Sequence, residues 1–178
     1  MSRIGKQPVK IPSGVDVNLS ANSLSAKGPK GTLLIIVPDE FDVSIEEGLV
    51  KIARKNDDKK LKALHGLYRS LIANMVEGVS TGYTRELEIQ GVGFKASIQG
   101  GKAIFLLGFS SPAELIIPDG VEMKINSNVN IVLSGPDKQL IGNFAARVKS
   151  LFPAEPYKGK GIRFKGERIR RKVGKTVA

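Results

Sequence analysis

The chain has 178 residues, 41% of them hydrophobic and 25% charged, with 28 Lys or Arg against 17 Asp or Glu for a formal net charge of +11. That length holds one medium domain or two small ones with packed cores, and the basic balance points to a polyanion, nucleic acid before an anionic membrane surface. With no cysteine, disulfides, thiolate zinc sites and cysteine nucleophiles are excluded.

The opening stretch "MSRIGKQPVKIPSG" carries no apolar segment of the secretory type. The longest apolar run, Leu33 to Val37, is far too short to span a bilayer. A soluble, non-secreted protein is expected. Short runs rich in Val, Ile, Leu and Phe follow, broken by Gly and Pro-Asp turns, and read as antiparallel strands near residues 15–19, 23–26, 32–37, 43–45 and 50–54. Apolar residues then recur at helical spacing: Leu61, Leu64, Leu67, Tyr68, Leu71, Ile72, Met75 and Val76. Asp57 or Asp58 is available as a cap and Gly78 stands at the expected end.

The same order repeats. Strands are predicted near 87–93, 95–99, 103–109, 113–117, 122–125 and 129–134, with a hairpin around Gly100-Gly101. A helix follows through Leu140, Ile141, Phe144, Ala145, Val148, Leu151 and Phe152, opened near Pro136 and stopped by Pro153. Sliding the chain against itself gives a gap-free period of 80. It sets Pro38-Asp39 on Pro118-Asp119, Gly28 on Gly108, Leu24 on Ile104, Ile45 on Ile125 and Ile52 on Val132. The expected fold is α+β: two tandem, duplicated domains, 1–82 and 83–154, each a small, mainly antiparallel sheet covered by one amphipathic helix. A basic tail, 155–178, lies outside both cores.

Catalytic constellations are scarce. His65 is the only histidine, has no cluster of carboxylates around it, and reads as structural. The two Pro-Asp pairs are turn residues at equivalent places. "GVGFKA" (91–96) fits a dinucleotide fingerprint formally, but a strand rather than a helix follows, so a tight bend is the better account. Lys30-Gly31-Thr32 lacks the spacing of a phosphate loop. A nucleic-acid-processing enzyme, such as a nuclease, would need clustered carboxylates or a paired histidine. No cofactor, metal or small-molecule substrate is expected.

The strongest signal is the last stretch, "EPYKGKGIRFKGERIRRKVGKTVA". It holds nine basic residues against Glu155 and Glu167, which is +7 of the total +11. Such a run neutralises phosphates and releases condensed counterions. Its glycines would let backbone approach a groove, and Tyr157 and Phe164 could stack on unpaired bases. Alternatives are a solvated tail, a general polyanion-binding module and an acidic membrane. The membrane fits poorly, because basic and apolar residues do not segregate at helical spacing. Lys27, Lys30, Lys138 and Arg147, with Arg3, Lys6, Lys10 and Lys149, are secondary basic points.

Several stretches resemble the bacterial type of the large-subunit ribosomal protein L-six family: "MSRIGKQPVKIPSGV", "HGLYRSLIANMVEGV", "GVGFKA", "GPDKQLIGNFAARVK", "EPYKGKGIRF" and "IRRKVGK". The resemblance implies two α+β domains arising from duplication and no catalytic activity. It also implies large-subunit rRNA as partner, near the stalk base and factor-binding region by the sarcin–ricin loop, among neighbouring ribosomal proteins and passing translation factors. RNA contact carries over to Tyr157, Lys158, Gly159, Lys160, Gly161, Arg163, Arg170, Arg171, Lys172 and Lys175, and the charge of the stretch adds Lys165. Secondary contacts are expected at Lys27, Lys30, Lys138 and Arg147. Two positions depart from the family: Phe164 replaces the usual Tyr, and Ser111 stands where His is common.

Overall fold

The computed structural model describes residues 3–20 and 22–175. The chain forms two compact units, Met1–Tyr83 with Pro136–Lys138, and Thr84–Gly135 with Gln139–Ala178.

The first unit contains β1 (Val9–Lys10), β2 (Asp16–Ser20), β3 (Ser23–Gly28), β4 (Gly31–Ile36), β5 (Phe41–Glu46), β6 (Leu49–Arg54) and α1 (Lys59–Ser80). These strands make two three-stranded antiparallel sheets, β1-β6-β5 and β2-β3-β4, not the single sheet expected from the sequence. Pro38-Asp39 lies in the connection between β4 and β5, where proline cannot continue a ladder, so the chain leaves one sheet and enters the other. The β5–β6 hairpin turns on Glu47 and Gly48, both at positive φ, as the twist of a two-residue hairpin requires.

Helix α1 is capped by Asp58, whose carboxylate accepts the Lys59 N–H at 2.6 Å. Asp57 instead pairs with Arg54 and Lys62. Gly78 does not end the helix. It lies inside, and the last turn closes where the Thr81 N–H donates to the Glu77 carbonyl. Ile72, Met75, Val76 and Val79 pack onto Leu24, Ala26, Val50 and Ile52. Gly28 lies close against the end of the helix; a Cβ there would sit 2.5 Å from the Val79 carbonyl oxygen. Leu64 and Leu67, expected in the core, face solvent, Leu67 with half its surface exposed. His65 is buried as a structural residue. Its Nε2 bonds the Ile52 carbonyl at 2.9 Å, its ring stacks on Phe41, and Gly5 lies against it.

The second unit repeats the plan with β7 (Tyr83–Gln90), β8 (Lys95–Gln99), β9 (Lys102–Leu106), β10 (Ala113–Ile116), β11 (Glu122–Asn126), β12 (Asn130–Gly135), α2 (Lys138–Leu151) and β13 (Gly161–Phe164). Its sheets are β10-β9-β8 and β11-β12-β7-β13. Gly100-Gly101 forms the expected hairpin turn, both residues at positive φ. Gly91 to Gly93 form a turn rather than a phosphate loop.

Duplication holds, but the gap-free register does not. Leu24 faces Ile35 and Ala103 faces Leu115, so the partner of Leu24 is Ala103, 79 positions on, not Ile104. Val50 faces Ile45 and Ile131 faces Ile125, an offset of 81, which pairs Ile52 with Leu133 rather than Val132. The latter difference arises in the hairpin: two residues join β5 to β6, whereas Ser127, Asn128 and Val129 join β11 to β12. Hairpin loops absorb single insertions because they are exposed, while the strands keep their inward faces.

Candidate nucleic-acid interface

The stretch expected to be a separate tail begins inside the second unit. β13 pairs antiparallel with β7, Ile162 opposite Ile89 and Phe164 opposite Leu87. Ile162 has no exposed surface, and its N–H donates to the Phe152 carbonyl at 2.8 Å. Burying such a side chain contributes about 2 kcal/mol, so this strand belongs to the core. Basic and apolar residues alternate along it, which sends Arg163 to the face opposite Ile162.

Before β13 lies the loop "EPYKGK". Residues 156–158 form a turn that leaves Tyr157 and Lys158 exposed, and the Glu155 N–H donates to the Lys160 carbonyl at 2.9 Å to close its base. Gly159 and Gly161 are both buried. Gly159 has φ +73°, and a Cβ there would meet the Arg171 guanidinium at 3.4 Å. Gly161 has φ +135°, and a Cβ would lie 2.7 Å from the Ala154 Cα. At Gly161 the close neighbour is the unit's own backbone, whereas at Gly159 the positive φ is what favours glycine.

After β13 the chain turns at Gly166 and is anchored by Glu167. This carboxylate pairs with Lys149 of α2 at 2.6 Å and accepts the Phe164 N–H at 3.0 Å. The Lys149 ammonium beside it, and then the Phe164 N–H, hold the Glu167 carboxyl below its ordinary range. Lys149 also lies over the Phe164 ring. The chain then returns to the loop, and the Lys172 N–H donates to the Pro156 carbonyl at 2.8 Å.

That last bond joins two runs separated in sequence. It brings the turn carrying Tyr157 and Lys158 beside Arg171 and Lys172. Lys158, Arg170, Arg171, Lys172 and Lys175 are exposed and Lys160 is partly so; none has an acidic side chain within ion-pair distance among the described residues. Arg168, exposed and likewise unpaired, belongs with them although no motif singled it out.

Arg163 and Lys165 differ. Arg163 sends Nε and Nη2 to Glu88 Oε2 at 3.3 and 3.1 Å, and Lys165 meets Glu86 at 2.5 Å. The Glu86 hydrogen bond raises the Lys165 pKa above its ordinary value. Sequence reasoning missed both glutamates, as it missed Glu167; the signal was the alternation "ELE" against "RFK". Of the secondary points, Lys27 and Lys30 are exposed around the β3–β4 turn of the first unit, and Lys138 and Arg147 are exposed on α2. Among the described residues no group of three or more His, Asp or Glu is placed to hold a metal ion, and no helix is long and apolar enough to cross a membrane.

The family model of ribosomal protein L6 matches this chain twice, over residues 11–82 and 90–165. The chain belongs to the ribosomal protein L6 family. The second match runs through β13, in keeping with that strand's place in the repeated unit. Over 176 residues the chain is 51% identical to the large ribosomal subunit protein uL6 of Syntrophobacter fumaroxidans, covering 99% of this chain and 98% of the relative. It is 47% identical to the protein of the same name from Synechocystis sp., with the same coverage. In Alkaliphilus oremlandii the identity is 47% over 177 residues, 99% of each chain. The chain is therefore a bacterial-type structural constituent of the large ribosomal subunit, not an enzyme.

Proposed function

We propose that this protein grips large-subunit rRNA through one surface of its second unit, built from the 156–160 loop and the returning segment 168–175. The observation that carries this reading is the Lys172-to-Pro156 backbone bond, which joins two basic runs into one face without acidic partners among the described residues. Because both runs are already anchored, by Glu155–Lys160 on one side and Glu167 on the other, little ordering entropy is lost on binding. The cations meet phosphates, Tyr157 offers a ring that is 55% exposed for stacking on an unpaired base, and backbone placement rather than base reading sets the site. Lys27, Lys30, Lys138 and Arg147 are secondary contacts. The stalk-base location, beside neighbouring ribosomal proteins and passing translation factors, follows from the family resemblance and completes the proposal.

The test is binding to large-subunit rRNA across a salt series, for the wild type and for a variant with Lys158, Lys160, Arg170 and Arg171 replaced by alanine. Each phosphate contact contributes about 0.7–0.9 to the slope of log K against log salt. The variant should lose about 3 of that slope while keeping its fold, since none of the four side chains is buried. An unchanged slope would overturn the reading.

A further inference from the structure

We propose that Glu86 and Glu88 mask Arg163 and Lys165 from phosphate, so that the RNA-binding face ends at β13 and these two acids set its boundary and selectivity. The inference rests on the reading of the loop and returning segment as the RNA grip. It begins with register. Arg163 stands directly opposite Glu88 across the β7–β13 ladder, and the Lys165 N–H continues that ladder by donating to the Glu86 carbonyl at 3.0 Å. Residues two apart on a strand share a face, so both pairs lie side by side on the surface opposite Ile162 and Ile89.

Each cation thus carries a tethered counter-charge. Glu88 receives two N–H groups of Arg163 on one oxygen, with side-chain exposures of only 27% and 21%. Glu86 and Lys165 meet at 2.5 Å in a more open position. For a phosphate to take either cation, the carboxylate must be displaced. The phosphate would release a condensed cation, but the uncovered carboxylate would repel the same phosphate and attract a cation of its own. The gain that drives binding elsewhere on this face is therefore cancelled here. Arg163 and Lys165 sit immediately beyond the loop, in the midst of a +7 stretch. Unmasked, they would widen the basic face onto the sheet and strengthen binding to any polyanion; discrimination often rests on such withheld contacts.

The experiment uses the full chain and heparin, a polyanion with no RNA structure, in a salt series. The Glu86→Gln, Glu88→Gln double variant should bind heparin more tightly, with a slope steeper by about 1.4–1.8, two contacts' worth. In the otherwise wild-type chain, Arg163→Gln with Lys165→Gln should leave the slope unchanged. Glu86→Gln alone, at the open pair, keeps the Glu88 rung that helps hold β13 and should steepen the slope by about 0.8. Near-UV circular dichroism confirms folding of each variant. The proposal is overturned if the folded glutamine variants keep the wild-type slope, or if losing Arg163 and Lys165 lowers it. Should the alanine variants of the loop leave rRNA binding intact while the glutamine variants still steepen the heparin slope, the RNA-grip reading fails and the masking stands.

Discussion

At Gly161 a methyl group has no room. The residue combines φ +135° with a site where a Cβ would lie 2.7 Å from the Ala154 Cα and 2.8 Å from both the Ala154 N and the Phe152 carbonyl oxygen. Backbone atoms cannot swing aside as a flexible side chain can, so Gly161→Ala combines strain with overpacking. A loss of about 2–4 kcal/mol is expected, measured by urea denaturation of the full chain. Stability within 0.5 kcal/mol of wild type would contradict this account. The same residue shows where sequence reading ran short. In "GKG" glycine is visible as permission for close approach, yet nothing in the string says whether the approaching backbone is RNA or the protein's own Ala154. His65 was easier, because a lone histidine without carboxylate neighbours has few uses beyond packing, and the structure buries it against Phe41 and Gly5.

Among the elements, β13 was legible in principle and was overlooked. "IRFK" alternates apolar and basic residues with the period of a strand, but the density of charge around it suggested a tail. The helices were read correctly in position and only in part by face. Leu67 fits the apolar rhythm of α1, yet it is half exposed. Leu67→Arg should therefore change stability by no more than about 0.5 kcal/mol in a thermal melt. Glu167 makes a prediction of opposite sign. Its folded-state pKa is depressed, chiefly by Lys149, whereas in the unfolded chain it returns toward 4.5. The stabilisation is present in full above that value and fades as pH falls through the depressed folded one. At neutral pH Glu167→Gln should lower stability by about 1 kcal/mol, a modest figure because the pair is about a third exposed. The difference from wild type should shrink as the pH is lowered below 4. A gap that persists unchanged in acid would mean that the carboxylate's charge is not what anchors the segment.

For the whole molecule, the duplication separates fold from function. Both copies use two small sheets and one helix, both change sheets at a Pro-Asp pair, and only the second continues into a strand and a basic return. The repeat itself was visible because inward-facing residues recur even where hairpins differ by one residue; the two-sheet division was not, because strand pairing leaves no local mark in the chain. This architecture decides how the basic end can be removed. Ending the chain after Pro153 deletes β13, strips Ile162 from the core and exposes Leu87 and Ile89 on β7, so the second unit should lose about 2–5 kcal/mol or more and bind RNA poorly through loss of fold as well as loss of charge. Ending it after Glu167 keeps β13 and the Lys149 anchor while removing Arg168, Arg170, Arg171, Lys172 and Lys175. That shorter chain should melt close to the full-length protein yet lose about 3.5–4.5 of the salt slope on large-subunit rRNA. If instead it melts far below the full-length chain, the Lys172–Pro156 bond and Arg171's contact at Gly159 hold the second unit together, and the returning segment belongs to the fold as much as to the interface.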